Sequence, residues 1–232
     1  MLIKIDGKYV VSVETRLLFK EKLGYIKGVL DEVSKNLLEN SDSIDENYWS
    51  ELGDCTDLSP EDFEYHRSIA DVLKLKAEKF PQILYNSILV SVYSILETTV
   101  SDVLIFTEQQ FPKRIKYKNL QKVGSEIDNT INFFDLVHLI DFNSLKSQRD
   151  SLKNYADIRN NIVHRNGSLR EEKIDRKNRI ISFAQSREDL LIENDHLIIS
   201  DPKFISEFIA FSESFGFAFF EKLIILPQNV AI

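Results

Sequence analysis

Ile83 to Phe106 runs ILYNSILVSVYSILETTVSDVLIF. It is the most apolar stretch of the chain, and its spacing predicts a helix over about 82–110 opened by Pro81. Glu97, Asp102 and several serines and threonines interrupt it, so it reads as a buried helix rather than a membrane span. Ser87, Ser91, Ser94, Thr98 and Ser101 fall along one side of that helix. Small residues let a neighbouring helix approach closely, so the stripe reads as packing rather than catalysis.

Outward from this helix, the rest of the chain also reads mostly as helix. Leu2–Ile5, Asp6-Gly7 and Lys8–Val11 form a short hairpin pattern, with Asp-Gly supplying the positive φ of a type I′ turn. Residues 13–39 carry Val13, Leu17, Leu18, Ile26, Val29, Leu30, Val33, Leu37 and Leu38 at helical spacing. Residues 40–58 are acidic and turn-like. Ser59-Pro60-Glu61-Asp62 starts a helix running to about Phe80. After the central helix comes a basic connector over 113–118, then helices at about 119–140 and 144–166. Asp141 or Asn143 caps the second of these, and Gly167 ends it. Residues 168–186 read as charged and irregular. Leu190–Ile192 and Leu197–Ile199 flank a turn, giving a second hairpin, and Asp201-Pro202 opens a last helix to about Leu226. The five prolines, at 60, 81, 112, 202 and 227, each stand where the pattern changes.

Composition agrees with this reading. Glycine and proline together number 12 in 232 residues, which is poor in turn formers. The fold class is all-α: a helical bundle with one or two small β-hairpins. We expect an N-terminal extension over 1–79, packed on a helical domain over 80–232. The single cysteine, Cys55, excludes an internal disulfide and a cysteine-rich zinc site, and fits a reducing cytoplasm. The start Met1-Leu2-Ile3-Lys4-Ile5-Asp6 lacks the apolar core of a signal peptide. No Walker A, GxGxxG, HExxH or GxSxG pattern occurs, and no metal or cofactor is expected.

The net charge of −8 argues at first against a nucleic-acid partner. It is unevenly spread, however. Residues 39–64 hold ten acids and no Lys or Arg, leaving the other 206 residues at +2. Arg165, Arg170, Lys173, Arg176, Lys177 and Arg179 lie close together along the chain. We therefore expect a mildly basic domain with one acidic insert that stays away from RNA or masks the basic site.

Chemistry concentrates in one place, Asp157-Ile158-Arg159-Asn160-Asn161-Ile162-Val163-His164-Arg165-Asn166-Gly167. At about 100° per residue, Leu145, Leu152, Ala156 and Val163 share a narrow apolar arc, which Tyr155, Ile158 and Ile162 extend. Arg159 falls inside that arc. A guanidinium there requires an anionic partner, a carboxylate such as Glu97 or a phosphate. His164 lies on the flank with Asn160, four residues earlier, and Asp157 and Asn161 extend the polar stripe. By residue type and spacing alone, Arg159 and His164 are either a functional pair or a structural ion pair plus a histidine capping a helix C-terminus.

Arg159-Asn160-Asn161-Ile162-Val163-His164 resembles the Arg-x4-His motif of the HEPN superfamily, in which an asparagine often follows the arginine. The resemblance covers about residues 80–226, including the apolar helix bearing Tyr93-Ser94-Ile95-Leu96-Glu97. It implies a dimeric all-α bundle acting as a metal-independent endoribonuclease in a toxin or antiviral-defence role. The two motifs would meet across the dimer, and the RNA 2′-hydroxyl would attack the adjacent phosphate. It makes Arg159, His164 and Asn160 catalytic. Glu97, Asp157 and Asn161 are candidates to support them; Glu97 reads equally as a core-edge carboxylate, and Asp157 more readily as a solvated helix residue. Arg165 and Arg170, beside the motif, are expected to contact RNA phosphate. The implied partners are RNA, a second copy of the chain, and an antitoxin or regulatory protein; no membrane is involved. Members controlled by a nucleotidyltransferase carry a tyrosine two residues after the histidine. Asn166 stands there, which argues against that control. The alternative is a non-catalytic HEPN-like module that binds a nucleotide or a partner. A structural adaptor working through residues 1–80 ranks last. His66, His138 and His196 read as structural, and Cys55 is given no role.

Overall fold

The computed structural model describes residues 1–41, 44–53, 58–111 and 115–225. The molecule is mostly helical, with a few small antiparallel strands. Strands β1 (Leu2–Ile5) and β2 (Lys8–Val11) form the first hairpin, with Leu2 opposite Val11. Its turn residues Asp6 and Gly7 take φ of 48° and 79°, the left-handed values that the Asp-Gly pair predicts. Helix α1 (Val13–Ser41) starts where the Ser12 hydroxyl accepts the Thr15 N–H at 3.2 Å. Then come α2 (Ile44–Leu52) and α3 (Pro60–Gln110). The chain continues through α4 (Glu126–His138), α5 (Lys146–Arg165), α6 (Ile174–Gln185), β3 (Leu190–Glu193), β4 (His196–Ile199), α7 (Lys203–Lys222) and β5 (Ile224–Ile225).

Four of these elements differ from the sequence expectation. The helices expected on either side of Pro81 are one 51-residue helix, α3. A proline removes one i→i−4 hydrogen bond, but the helix runs on through Pro81, and α3 packs along α1. The acidic stretch 40–58, expected to be turn-like, contains α2. There the Trp49 ring stacks on Phe63 of α3 at 5.5 Å, and the Tyr48 hydroxyl meets His66 Nδ1 at 2.8 Å. The stretch expected to be irregular, 168–186, contains α6. The helix expected over 119–140 begins only at Glu126, capped by Ser125, whose hydroxyl accepts the Asp128 N–H at 3.1 Å. Cys55, Lys113, Arg114 and Leu226 lie outside the described residues, as does part of the acidic insert.

The core forms along one face of α3. Tyr85, Leu89, Val92, Leu96, Val100 and Val103 are each at most 6% exposed and recur at the three-and-four spacing of a helix face. α1, α4, α5 and α7 pack on α3. α7 contributes Phe204, Phe208, Phe215, Phe219 and Phe220, all buried. Phe219 stacks on Phe142 at 5.5 Å, and Phe220 meets Phe19 of α1 edge-on at 5.6 Å. The expected boundary at 79/80 falls inside α3. β5 pairs with β2 in a sheet ordered β1-β2-β5, so the N-terminal hairpin and α1 share the core of the later helices. The serine stripe is partly open within one chain: Ser87, Ser91 and Thr98 are exposed.

Gly216 of α7 lies where a Cβ would run into the Phe19 ring. We expect Gly216→Ala to force that ring aside and to cost about 1–3 kcal/mol of stability, as overpacked cores do. Urea unfolding measures it, and an unchanged midpoint would show that the α1–α7 contact is looser than described.

Candidate functional site

α5 ends in two consecutive left-handed residues, Asn166 at φ 50° and Gly167 at φ 83°. The cap falls one residue earlier than expected, since the Asn166 N–H closes the helix on the Ile162 carbonyl. A side chain at 167 would bring its Cβ to 2.9 Å from the Leu197 carbonyl oxygen, so only glycine fits. The β3–β4 hairpin clasps this exit: Leu197 N–H donates to the Gly167 carbonyl at 2.9 Å, and Leu169 N–H to that of Asp195 at 2.8 Å. The turn bearing His164 is therefore held from both sides.

On α5, Arg159 is directed toward α3. Its guanidinium carbon lies 5.4 Å from the centre of the Tyr93 ring, and Nη1 donates to Asn160 Oδ1 at 2.9 Å. Nη2 is 4.0 Å from Glu97 Oε2. Nε is buried without a hydrogen-bond partner. Burial is the main influence on Glu97 and outweighs the opposing pull of Arg159; Glu126 adds to it. The carboxyl is therefore held above its ordinary range. His164 is exposed and makes no hydrogen bond or ion pair with any described residue. It stands about 140° around the helix from Arg159, so one chain joins Arg159, Asn160 and Glu97 but leaves His164 facing outward beside them. At this last turn the buried face has moved to Ile158, Asn161 and Ile162. Val163, expected in the apolar arc, is 46% exposed.

Two of the expected supporting residues face away from Arg159. Asp157 is 8% exposed and binds Arg179 of α6 through both oxygens, at 2.7 and 3.2 Å. Arg176 approaches it at 3.2 Å. Asn161 is fully buried and donates to the Ser168 carbonyl at 2.8 Å. Asp157 thus pins α5 to α6, and Asn161 pins it to the connection between the two helices. Glu172, whose side chain is 2% exposed, lies 3.3 Å from both Arg165 and Arg176. Lys177 pairs with Asp195 at 3.1 Å. The basic run is thus largely neutralised, and Arg165 is engaged by Glu172 and by Glu171 at 3.6 Å. The Arg170 side chain is exposed and unpaired among the described residues.

The sequence reading missed Tyr93 as the ring beneath Arg159, and Glu172 as the centre of the ionic network. Tyr93 carried a signal, since it stands four residues before Glu97 on the same face of α3. Glu172 carried none within a stretch that looked irregular. Among the described residues, no group of three or more His, Cys, Asp or Glu side chains is placed to hold a metal ion. His138 is buried against Phe133 and Phe134, and His196 Nδ1 meets the Asn194 carbonyl at 3.2 Å. No protein-family model, no curated protein and no solved structure matches this chain.

Glu97 and Glu172 carry opposite pH signatures. Glu97 titrates above its ordinary 4.5 in the folded chain, so stability from its neutral form is present below 4.5 and lost as pH rises through the raised value. For Glu172, burial alone would raise the pKa. The Lys173 backbone N–H, Asn161, Arg176 and Arg165 together overcome it and hold the pKa below 4.5. Its stabilisation is therefore present above 4.5 and lost as pH falls through the depressed value. We expect Glu97→Gln to raise, and Glu172→Gln to lower, the melting temperature at pH 7. The Glu172→Gln deficit should shrink in acid. Thermal melts between pH 3 and 7 check both; equal shifts of one sign would contradict this assignment.

Proposed function

We propose that this chain is a metal-independent endoribonuclease of the HEPN type, acting as a homodimer in a toxin or antiviral-defence role. One observation supports it most. Arg149, Arg165, Arg176, Arg179 and Arg187 each lie within 3.3 Å of a carboxylate, whereas Arg159 comes no nearer than 4.0 Å to the carboxylate beside it, Glu97. A guanidinium so placed still has donors for an anion, and its fork matches the oxygens of a phosphate.

The chemistry is that of the residue types. An unpaired, exposed imidazole is suited to taking the proton of an RNA 2′-hydroxyl. The 2′-oxygen then attacks the adjacent phosphorus and the bond from phosphorus to the 5′-oxygen breaks. A proton from the second copy's imidazole goes to that leaving oxygen. The products are a 2′,3′-cyclic phosphate and a 5′-hydroxyl. Arg159 stabilises the extra negative charge on the phosphoryl oxygens, and Asn160, hydrogen-bonded to it and on the His164 face, holds the phosphate between them. Because Arg159 and His164 diverge around one helix, a second copy facing the first supplies the convergence that one chain lacks. Arg170, exposed and unpaired, is the better candidate for an outlying phosphate contact; Arg165 would first have to leave Glu172.

A second reading, a non-catalytic module that holds a nucleotide or an antitoxin-like partner, is favoured by the neutralised run around α6. The test separates the two. Purified protein is incubated with mixed tRNA and mRNA in EDTA, and the new ends are analysed for cyclic phosphate. We expect cleavage, lowered about 100- to 10,000-fold by His164→Ala and about 100- to 1,000-fold by Arg159→Ala. Nucleotide binding without turnover selects the second reading. Cleavage equal in wild type and both variants rejects the first.

A further inference from the structure

Tyr93 lies beneath Arg159, yet a phenol has no part in the proposed chemistry. Its ring is 2% exposed and cannot reach a substrate. It is fixed by a pile of aromatic rings: Tyr93 stacks on Phe208 of α7 at 6.4 Å and 22°, and Phe208 stacks on Tyr155 of α5 at 4.3 Å and 23°. Tyr155 is one turn before Arg159 on the same helix. The pile therefore ties together the helix that carries the guanidinium and the ring that supports it.

A carboxylate beneath Arg159 would hold it as Asp157 holds Arg179, through paired hydrogen bonds that a phosphate would have to displace. An aromatic face attracts a cation through its quadrupole and accepts none of its in-plane N–H groups strongly. We propose that Tyr93 is the positioning residue for Arg159: its ring bears the guanidinium in place of a close carboxylate and leaves the cation's charge and donors for a phosphate. The assignment rests on the endoribonuclease reading for its catalytic consequence, but its geometry stands apart from it. Burial first, and the nearby Glu97 charge second, push the Tyr93 phenol up to about 12. At neutral pH the ring is therefore uncharged and does not neutralise the arginine. Glu97 is the only carboxylate that reaches Arg159 among the described residues, at the 4.0 Å limit of an ion pair.

The test compares Tyr93→Phe, which keeps the ring, with Tyr93→Leu and Tyr93→Met, which remove it; Met serves if Leu does not fold. We expect Leu or Met to lower kcat roughly ten- to thirtyfold, the value of a desolvated cation–π contact, with KM within about twofold. Phe should restore wild-type kcat to within about twofold, because only the ring face is used. In an Arg159→Lys background, Leu should add less than about twofold, since coupled residues are not additive. A second readout needs no activity. The Arg159 Nε–H resonance of ¹⁵N-labelled protein should be shifted upfield by the ring in wild type and Tyr93→Phe, and return toward that of the exposed Arg170 in Tyr93→Leu or Tyr93→Met. Equal losses in both backgrounds, or no loss, overturn the positioning role. So does a wild-type resonance without the ring shift. If the shift is present and no RNA is cut, the endoribonuclease reading fails and the positioning of Arg159 by Tyr93 stands.

Discussion

Everything else in the molecule is arranged by the need to bury one face of α3. Six of its side chains, from Tyr85 to Val103, are nearly or wholly inaccessible, and each contributes roughly 1.5–3 kcal/mol when taken out of water. That face is too long for any one neighbour to cover, so α1, α4, α5 and α7 share it. The division fixes α5 against the segment containing Tyr93 and Glu97, and with it the location of Arg159. A guanidinium in an apolar arc is tolerated there because an aromatic ring, an amide and a distant carboxylate surround it in place of hydrocarbon.

The cations of this region fall into two populations. Arg176, Arg179, Lys177 and Arg165 are tied to Asp157, Glu172 and Asp195 and act as fasteners between α5, α6 and the second hairpin. Arg159, Arg170 and Lys173 are not fastened in this way. Counting lysines and arginines along the chain treats all seven alike, so a run that looks like a basic patch becomes, once folded, mainly an internal network. The cationic charge left without a carboxylate partner is smaller, and lies closer to the motif, than composition suggests.

Much of the fold could be read from periodicity and turn chemistry. The Asp6-Gly7 hairpin, the Ser59 cap, the apolar helix after Pro81, the second hairpin and the last helix all carry local signals, and all are present. What was hidden depends on contacts between distant segments. Pro81 marks a boundary by local rules, yet the helix continues through it in a segment that packs against other elements. α2 is held by Trp49 and Tyr48 against Phe63 and His66. α6 buries only Ile180 and Ala184 completely and depends on Asp157 for its anchorage, so its own sequence looks charged and formless. At the candidate site, the odd placement of Arg159 in an apolar arc was legible, because it needs only one helix. The roles of Asp157 and Asn161 were not, because both are settled by partners on segments beyond the end of α5.

The pairing of β2 with β5 has a consequence for how the chain is made. β1, β2 and α1 leave the ribosome long before the third strand of their sheet, which lies at residues 224–225. Until then β2 presents an open edge, and Phe19 waits for Phe220. An open strand edge beside uncovered aromatic surface is a place where nascent chains stick to one another. The final closure is a long-range contact spanning more than 200 residues, which makes it slow relative to local helix formation. During synthesis, the first hairpin and α1 therefore stay in need of protection until α7 and β5 have been translated.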